Sequence, residues 1–239
     1  DGIADLEALD LSSGVISEKN YSEALVVLGD EYSKHGDFPK AAIVYKRAVS
    51  CLEAFVERLF RAKMSILLSD PSWSGVFMPE LRLLAKARIG LSNAANNLPD
   101  AKFALESSRI AVNLAKAVCP DLVQVVGVSL LVNVRAERRA AGSTQATMVL
   151  KKLCTHLSSW QGAGNDFDMF KATCLAIAES HIARRNVIGA SNAILAATDA
   201  ASALHAVLRW EQNECADQEK ILTGETGVAT LVPPAIRLP

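Results

Sequence analysis

The sequence is poor in aromatic side chains, which make up only 5% of its 239 residues although half of the chain is apolar. A β-sandwich wants β-branched and aromatic strands, so this scarcity argues against one. Alanine and leucine carry the apolar content instead, and both are strong helix formers. An excess of one charge sign is missing too. There are 25 basic and 26 acidic residues, for a formal net charge of −1. No global field is available to draw in nucleic acid or an anionic membrane. No apolar run reaches the roughly 20 residues of a membrane-spanning helix. The greasiest stretch, Val123 to Val134, is interrupted by Gln124, Ser129 and Asn133 and reads as a buried central helix. The five cysteines (Cys51, Cys119, Cys154, Cys174 and Cys215) are scattered, odd in number and without a CxxC pair. That pattern argues against a disulfide framework or a structural zinc site and favours buried free thiols in a reducing compartment.

Motifs that carry chemistry are also lacking. None of the four histidines (His35, His156, His181 and His205) has a second histidine four residues on, as zinc binding of the HExxH type needs. The phosphate-cradling patterns GxxxxGKS and GxGxxG are absent, and so is GxSxG. Gly162-Ala163-Gly164 follows a helix, not a strand, and reads as a loop turn. The expectation is a chain without cofactor, metal or catalytic residues. Arg135, Arg138, Arg139, Lys151 and Lys152 could form a basic patch, but no aromatics interleave there to stack bases. Compensation of a helix C-terminal dipole explains the arginines more simply. A nucleic-acid role is therefore the least favoured binding class.

Helix boundaries are well punctuated. Residues 1–18 read as a short helix or loose arm. Asn20, with Glu23 three residues on, has the spacing of a capping pair opening a helix over 20–35. Asp37 caps the next, which meets no breaker before about Ser69. Asp70-Pro71-Ser72-Trp73-Ser74-Gly75 is the clearest loop. Pro79 suits the first turn of a helix running to Asn97. Pro99-Asp100 restarts the chain into 100–118, and Pro120 opens a helix ending at Arg138-Arg139 and Gly142. Helices over 143–159, 167–185 and 187–220 follow. Thr223 to Pro239, with Gly224, Gly227 and Pro233-Pro234, reads as an extended tail. The expected organisation is an arm over 1–18, a helical domain over 19–222 and a tail over 223–239. The chain opens on Asp1-Gly2, without methionine, signal-type hydrophobic region or transit pattern, which fits a fragment or processed form. The thiols favour an intracellular setting, cytoplasm or nucleus first, or an organelle if a targeting segment was removed.

The most ordered pattern runs from Leu25 to Glu53. Leu28, Gly29 and Tyr32 fall in the L-G-x2-Y places of one helix, Gly36-Asp37 makes a turn, and Ala41, Tyr45 and Ala48 follow at A-x3-F-x2-A spacing. Small residues let two helix axes approach closely, so Gly29 and Ala41 are expected to face each other while Tyr32 and Tyr45 wedge in beyond. The segment resembles a tetratricopeptide (TPR) repeat, with Leu25 in place of the usual tryptophan and Glu53 in place of the closing proline. Leu91, Ser92, Ala95, Ala104 and Ala111 echo it, as do Ile177, Ala178, His181, Ala190, Ile194 and Ala197. Residues Pro120 to Trp160 read as a further helix pair with no clear alignment.

The resemblance implies an all-α, TPR-like α-solenoid of about four antiparallel helix pairs in a right-handed superhelix. In such arrays the first helix of each pair lines a concave groove that holds an extended or helical segment of a partner protein. Carried over residue by residue, the groove positions are Val26, Asp30, Ser33 and Lys34, then Ile89, Asn93, Asn96 and Asn97, then Leu175, Glu179, Ile182 and Ala183. Asparagine amides offer donors and acceptors, so Asn93 and Asn96 suit a peptide backbone, although they also suit the helix end before Pro99. The family's clamp for chaperone tails needs lysine and asparagine where this chain has Val26 and Asp30, which argues against that ligand. The implied role is a non-catalytic protein–protein interaction scaffold, foremost a subunit of a multi-protein assembly. The alternatives are a freely diffusing peptide-binding or co-chaperone-like adaptor and a scaffold that self-associates.

Overall fold

The structure, a computed structural model, describes residues 17–60, 79–119, 122–159 and 167–223. Among them every regular element is an α-helix. These are α1 (Glu18–Lys34), α2 (Phe38–Phe60), α3 (Pro79–Asn96), α4 (Ala101–Val118), α5 (Val123–Ala140), α6 (Ser143–Ser158), α7 (Phe167–Ala183), α8 (Val187–Ala196) and α9 (Ala200–Thr223). The all-α expectation holds. The arm to residue 16, the loop from Asp70 to Gly75, Pro120, the turn over 161–166 and the tail beyond Thr223 lie outside the described residues.

Side-chain caps set most of the helix starts. Asp37 accepts from the Lys40 amide at 3.2 Å, Asp100 from Phe103 at 2.9 Å and Asn186 from Gly189 at 2.9 Å. Each such cap satisfies an amide with no partner in its own helix and contributes roughly 1 kcal/mol. Three expected boundaries move, one of them the opening expected at Pro120, which falls at Val123. The first helix opens at Glu18 because Ser17, not Asn20, is the cap: its Oγ accepts from the Asn20 amide at 3.2 Å. The single helix expected over 187–220 is two helices. Asp199 accepts from the Ser202 amide at 2.8 Å, and the Thr198 hydroxyl donates to the Leu195 carbonyl at 2.7 Å. These local bonds end one helix and start another within an otherwise alanine-rich run.

The turns also supply the alignment missing from the sequence. One main-chain bond, from an amide to the carbonyl five residues back, closes α1 (Asp37 to Tyr32, 2.9 Å), α5 (Gly142 to Glu137, 3.0 Å) and α7 (Asn186 to His181, 2.8 Å). Tyr32, Glu137 and His181 are thus equivalent. Counting from that bond places Val134, Ala146, Leu150 and Leu153 where the first pair has Gly29, Ala41, Tyr45 and Ala48, and all four are buried. The third echo holds less well. Ile194, at the place of Tyr45, is 49% exposed.

Each helix packs on the next. The odd-numbered α1, α3, α5 and α7 also touch one another in series, whereas α2, α4, α6 and α8 make no comparable contacts among themselves. α9 lies over α6 and α7 and against α8. Two apolar cores result. Tyr45, Leu52, Val56 and Leu84 anchor the first, and Leu150, Leu153, Leu157 and Phe170 the second. Between them the apolar layer thins to Ala95, Ala104 and Ala136. A polar seam lies beside these alanines, where the Ser108 hydroxyl donates to Asn133 Oδ1 at 3.0 Å and Arg109 meets the buried Glu137.

Candidate partner-binding face

The serial contact of α1, α3, α5 and α7 brings the proposed groove residues into one row, and several already serve the array. Asp30 on α1 accepts a hydrogen bond from the Tyr45 hydroxyl of α2 at 2.5 Å and pairs with Lys86 of α3 at 3.0 Å. It clasps three helices. Asn96 on α3 donates through Nδ2 to the Val132 carbonyl of α5 at 2.9 Å. Arg138 on α5 pairs with Glu179 of α7 and donates to the Ala176 carbonyl at 3.3 Å. Arg139, in the last turn of its own helix as expected, also reaches the open end of α3, donating to the Asn96 carbonyl and, at 2.6 Å, to Leu98. Two cations of the suspected basic patch are therefore held at helix–helix junctions.

Other positions fall differently. Val26 is buried in the first core (1% exposed), so it offers a partner nothing. Its neighbour Val27, which the repeat offsets pass over, is 47% exposed. Ser33 is half-buried, and Lys34 pairs with Glu31 at 2.5 Å. Ile89 and Asn93 are half-buried, and the exposed Asn97 donates through Nδ2 to the Asn93 carbonyl at 2.9 Å. Leu175 and Ile182 stand well exposed, joined on α5 by Val128. The exposed large aliphatic residues of these helices are Val27 on α1, Val128 on α5, and Leu175 and Ile182 on α7. The signal that could have found Val27 is a shift of register by one residue, which only the packing resolves; Val128 lies on α5, where the sequence offered no alignment. A charge reversal at Asp30 would break the three-helix clasp, so it cannot serve as a fold-neutral probe of this face.

Leu28, Tyr32, Ala41, Tyr45 and Ala48 all lie buried in the first core. The group nearest Gly29 is the Tyr45 ring. A Cβ built on Gly29 would lie 2.7 Å from Tyr45 Cε1, and one on Gly90 of α3 closer still. Tyr45 is thus clamped between two glycines on two helices, with Asp30 holding its hydroxyl. Gly90 was not anticipated.

This packing sets an alkaline limit. Burial, reinforced by the Asp30 carboxylate, raises the Tyr45 phenol above its ordinary value, and burial pushes the Cys174 thiol from 9 up to about 11. Both folded sites favour the protonated form. Their contribution is complete below the unfolded values and is lost as pH rises through the folded ones. The denaturant midpoint is expected to stay level from pH 7 to about 9 and then fall, with a smaller fall between 9 and 11 in Cys174→Ala. A midpoint that rises through this window contradicts the assignment.

Cys51, Cys119, Cys154 and Cys174 are not joined in disulfides, and the last three are buried. No helix among the described residues is long and apolar enough to cross a membrane. Compared with known proteins, the chain matches no family model, no curated protein and no solved structure.

Proposed function

We propose that the chain is a TPR-like α-solenoid of four helix pairs, closed by α9, that works without a cofactor as a protein-interaction scaffold in a larger assembly. The observation that carries this reading is the packing asymmetry: odd-numbered helices touch in series while even-numbered ones make no comparable contacts. Rods drawn together on one side only make a curved wall, and the drawn-together side is the concave one. To that side we assign an apolar stripe of Val27, Val128, Leu175 and Ile182, the exposed large aliphatic residues of these helices. It suits an amphipathic helix or extended segment laid across the array. The exposed side chains of α7 and α8, with Ile182 at 60% and Leu195 at 66%, favour a permanent subunit over a freely diffusing adaptor.

Affinity purification with crosslinking mass spectrometry tests this. Crosslinks to a recovered partner are expected along α1, α3, α5 and α7. The double variant Leu175→Asp/Ile182→Asp is expected to reduce recovery at least about fivefold with the thermal midpoint nearly unchanged, because both side chains are already in water. Undiminished recovery removes the concave face from consideration.

A further inference from the structure

The short helix α8 is built inside out. Its sequence, VIGASNAILA, contains no charged residue, whereas each of the other described helices carries charged residues. A surface helix normally turns its large apolar side chains to the core and its polar ones to water. Here the core side is lined by small residues, the buried Ala190 and Ala193, with Ala197 just beyond the helix end. The large ones face outward: Val187 is 75% exposed, Ile188 77%, Ile194 49% and Leu195 66%. Clustered aliphatic side chains left in water mark a contact surface. None of the four lies on α1, α3, α5 or α7, so this face is distinct from the proposed concave one.

The spacing of these side chains specifies the occupant. Val187 and Ile188 lie four and three residues before Ser191, and Ile194 and Leu195 lie three and four residues after it. Residues three and four apart are neighbours on a helix, so all of them flank Ser191 on one face. The pattern reads the same in both chain directions, and Ser191, small and exposed, stands at its centre. An unrelated partner has no need of that symmetry. A twofold contact does, because one patch must then complement itself. A second α8 laid antiparallel along the first, with the axis at Ser191, brings Val187 and Ile188 of one copy against Ile194 and Leu195 of the other at both ends. The small central serines let the two rods approach closely. The charges agree with this pairing. The exposed Arg185 precedes α8 and the exposed Asp199 follows it, so the antiparallel order sets a cation of each copy near an anion of the other. The area agrees as well. A stable dimer buries roughly 800 Å² per partner, and the four aliphatic side chains at these exposures supply about half of that as an apolar centre, with Asn192 and the charged ends as a polar rim.

We propose that α8 is a homodimerisation face, on which two copies of the chain join antiparallel about a twofold axis at Ser191. The contact uses no side chain assigned to the concave face, so the dimer presents two such faces, one from each copy.

Sedimentation velocity of the full chain over a range of concentrations tests this. A monomer–dimer equilibrium is expected with a Kd on the order of 1–10 µM, as suits a contact of this size. Ile188→Asp and Leu195→Asp, both at exposed positions, are each expected to weaken it at least about tenfold with helical circular dichroism unchanged. Val27→Glu on α1 leaves the dimer intact, so this proposal and the concave-face reading can fail separately. Ser191→Cys reports the symmetry itself. Air oxidation catalysed by copper–phenanthroline is expected to join two copies of that variant through a disulfide far more completely than two copies of the native chain, because only at the axis does a residue meet its own counterpart. Three results overturn the proposal. One is a chain that stays monomeric at about 100 µM, which assigns the face to a different protein, or to lipid if the chain co-floats with phosphatidylcholine vesicles, or to residues 224–239 if their deletion releases a dimer. Another is a dimer that Ile188→Asp and Leu195→Asp leave intact, which places the contact elsewhere. The third is a dimer that these variants dissolve but that Ser191→Cys does not cross-link, which rules out the antiparallel axis.

Discussion

Gly90→Ala is expected to lower the stability of the folded chain by about 1–3 kcal/mol, and Gly29→Ala by nearly as much. The sign is informative, because propensity alone predicts the reverse. Glycine inside a helix is less favourable than alanine by about 1 kcal/mol, so either substitution would stabilise an open helix. Here each new Cβ runs into the Tyr45 ring, from α1 on one side and from α3 on the other. The ring cannot yield cheaply. It is 2% exposed, and its hydroxyl is anchored to Asp30, which is itself anchored to Lys86. Truncating the ring should therefore abolish the penalty. The third helix pair suggests the replacement, since Leu150 occupies the equivalent place there beside Val134, a residue larger than alanine. In a Tyr45→Leu background Gly90→Ala is expected to be neutral or mildly stabilising by denaturant titration. Strictly additive costs across the four proteins of that cycle refute the clamp.

Arg109→Met is expected to cost about 2–3 kcal/mol at neutral pH, although Arg109 is itself more than half exposed. What matters is the group left behind. Glu137 is 4% exposed, its Oε1 takes both guanidinium contacts at 2.9 Å, and its Oε2 is buried without a hydrogen-bond partner. Removing the cation strands a buried carboxylate in the thinnest part of the apolar layer. An exposed ion pair would lose under about 1 kcal/mol instead, so the magnitude distinguishes the two situations. Adding Glu137→Gln to Arg109→Met is expected to recover much of the loss, because the charge goes and the shape stays. Chemical denaturation of the two single variants and the double variant decides the matter. A cost below about 0.5 kcal/mol for Arg109→Met would show that water already solvates Glu137.

How far the sequence could be read follows from the range of the interactions involved. Helices and most of their ends were legible because caps act over three residues, as at Asp37, Asp100 and Asn186. The buried small residues Ala41, Ala48, Ala104 and Ala111 were legible from their spacing. Ser17 and Asp199 were also within local reach, and were missed only because Asn20 and an unbroken alanine-rich run looked like better choices. The α5–α6 pair escaped for a different reason. Its place equivalent to Tyr32 holds Glu137, buried against Arg109 of a neighbouring helix, and no aromatic pattern can find a charged residue doing an aromatic residue's packing.

The candidate face divides in the same way. The offsets put Asp30, Asn96 and Glu179 on the row of odd-numbered helices. They could not show that each is already bonded to another helix, since the groups concerned lie 15 to 41 residues apart in the chain: Tyr45 for Asp30, Val132 for Asn96, Arg138 for Glu179. The sequence by itself determined the rods: where they start, where most of them stop, and that small side chains line their contacts. Only the tertiary structure decided what fills each space and which polar groups remain free for a partner. Periodicity and capping are set by neighbours within one helical turn, while occupancy of a gap or a hydrogen bond is settled by whichever distant residue the packing delivers there.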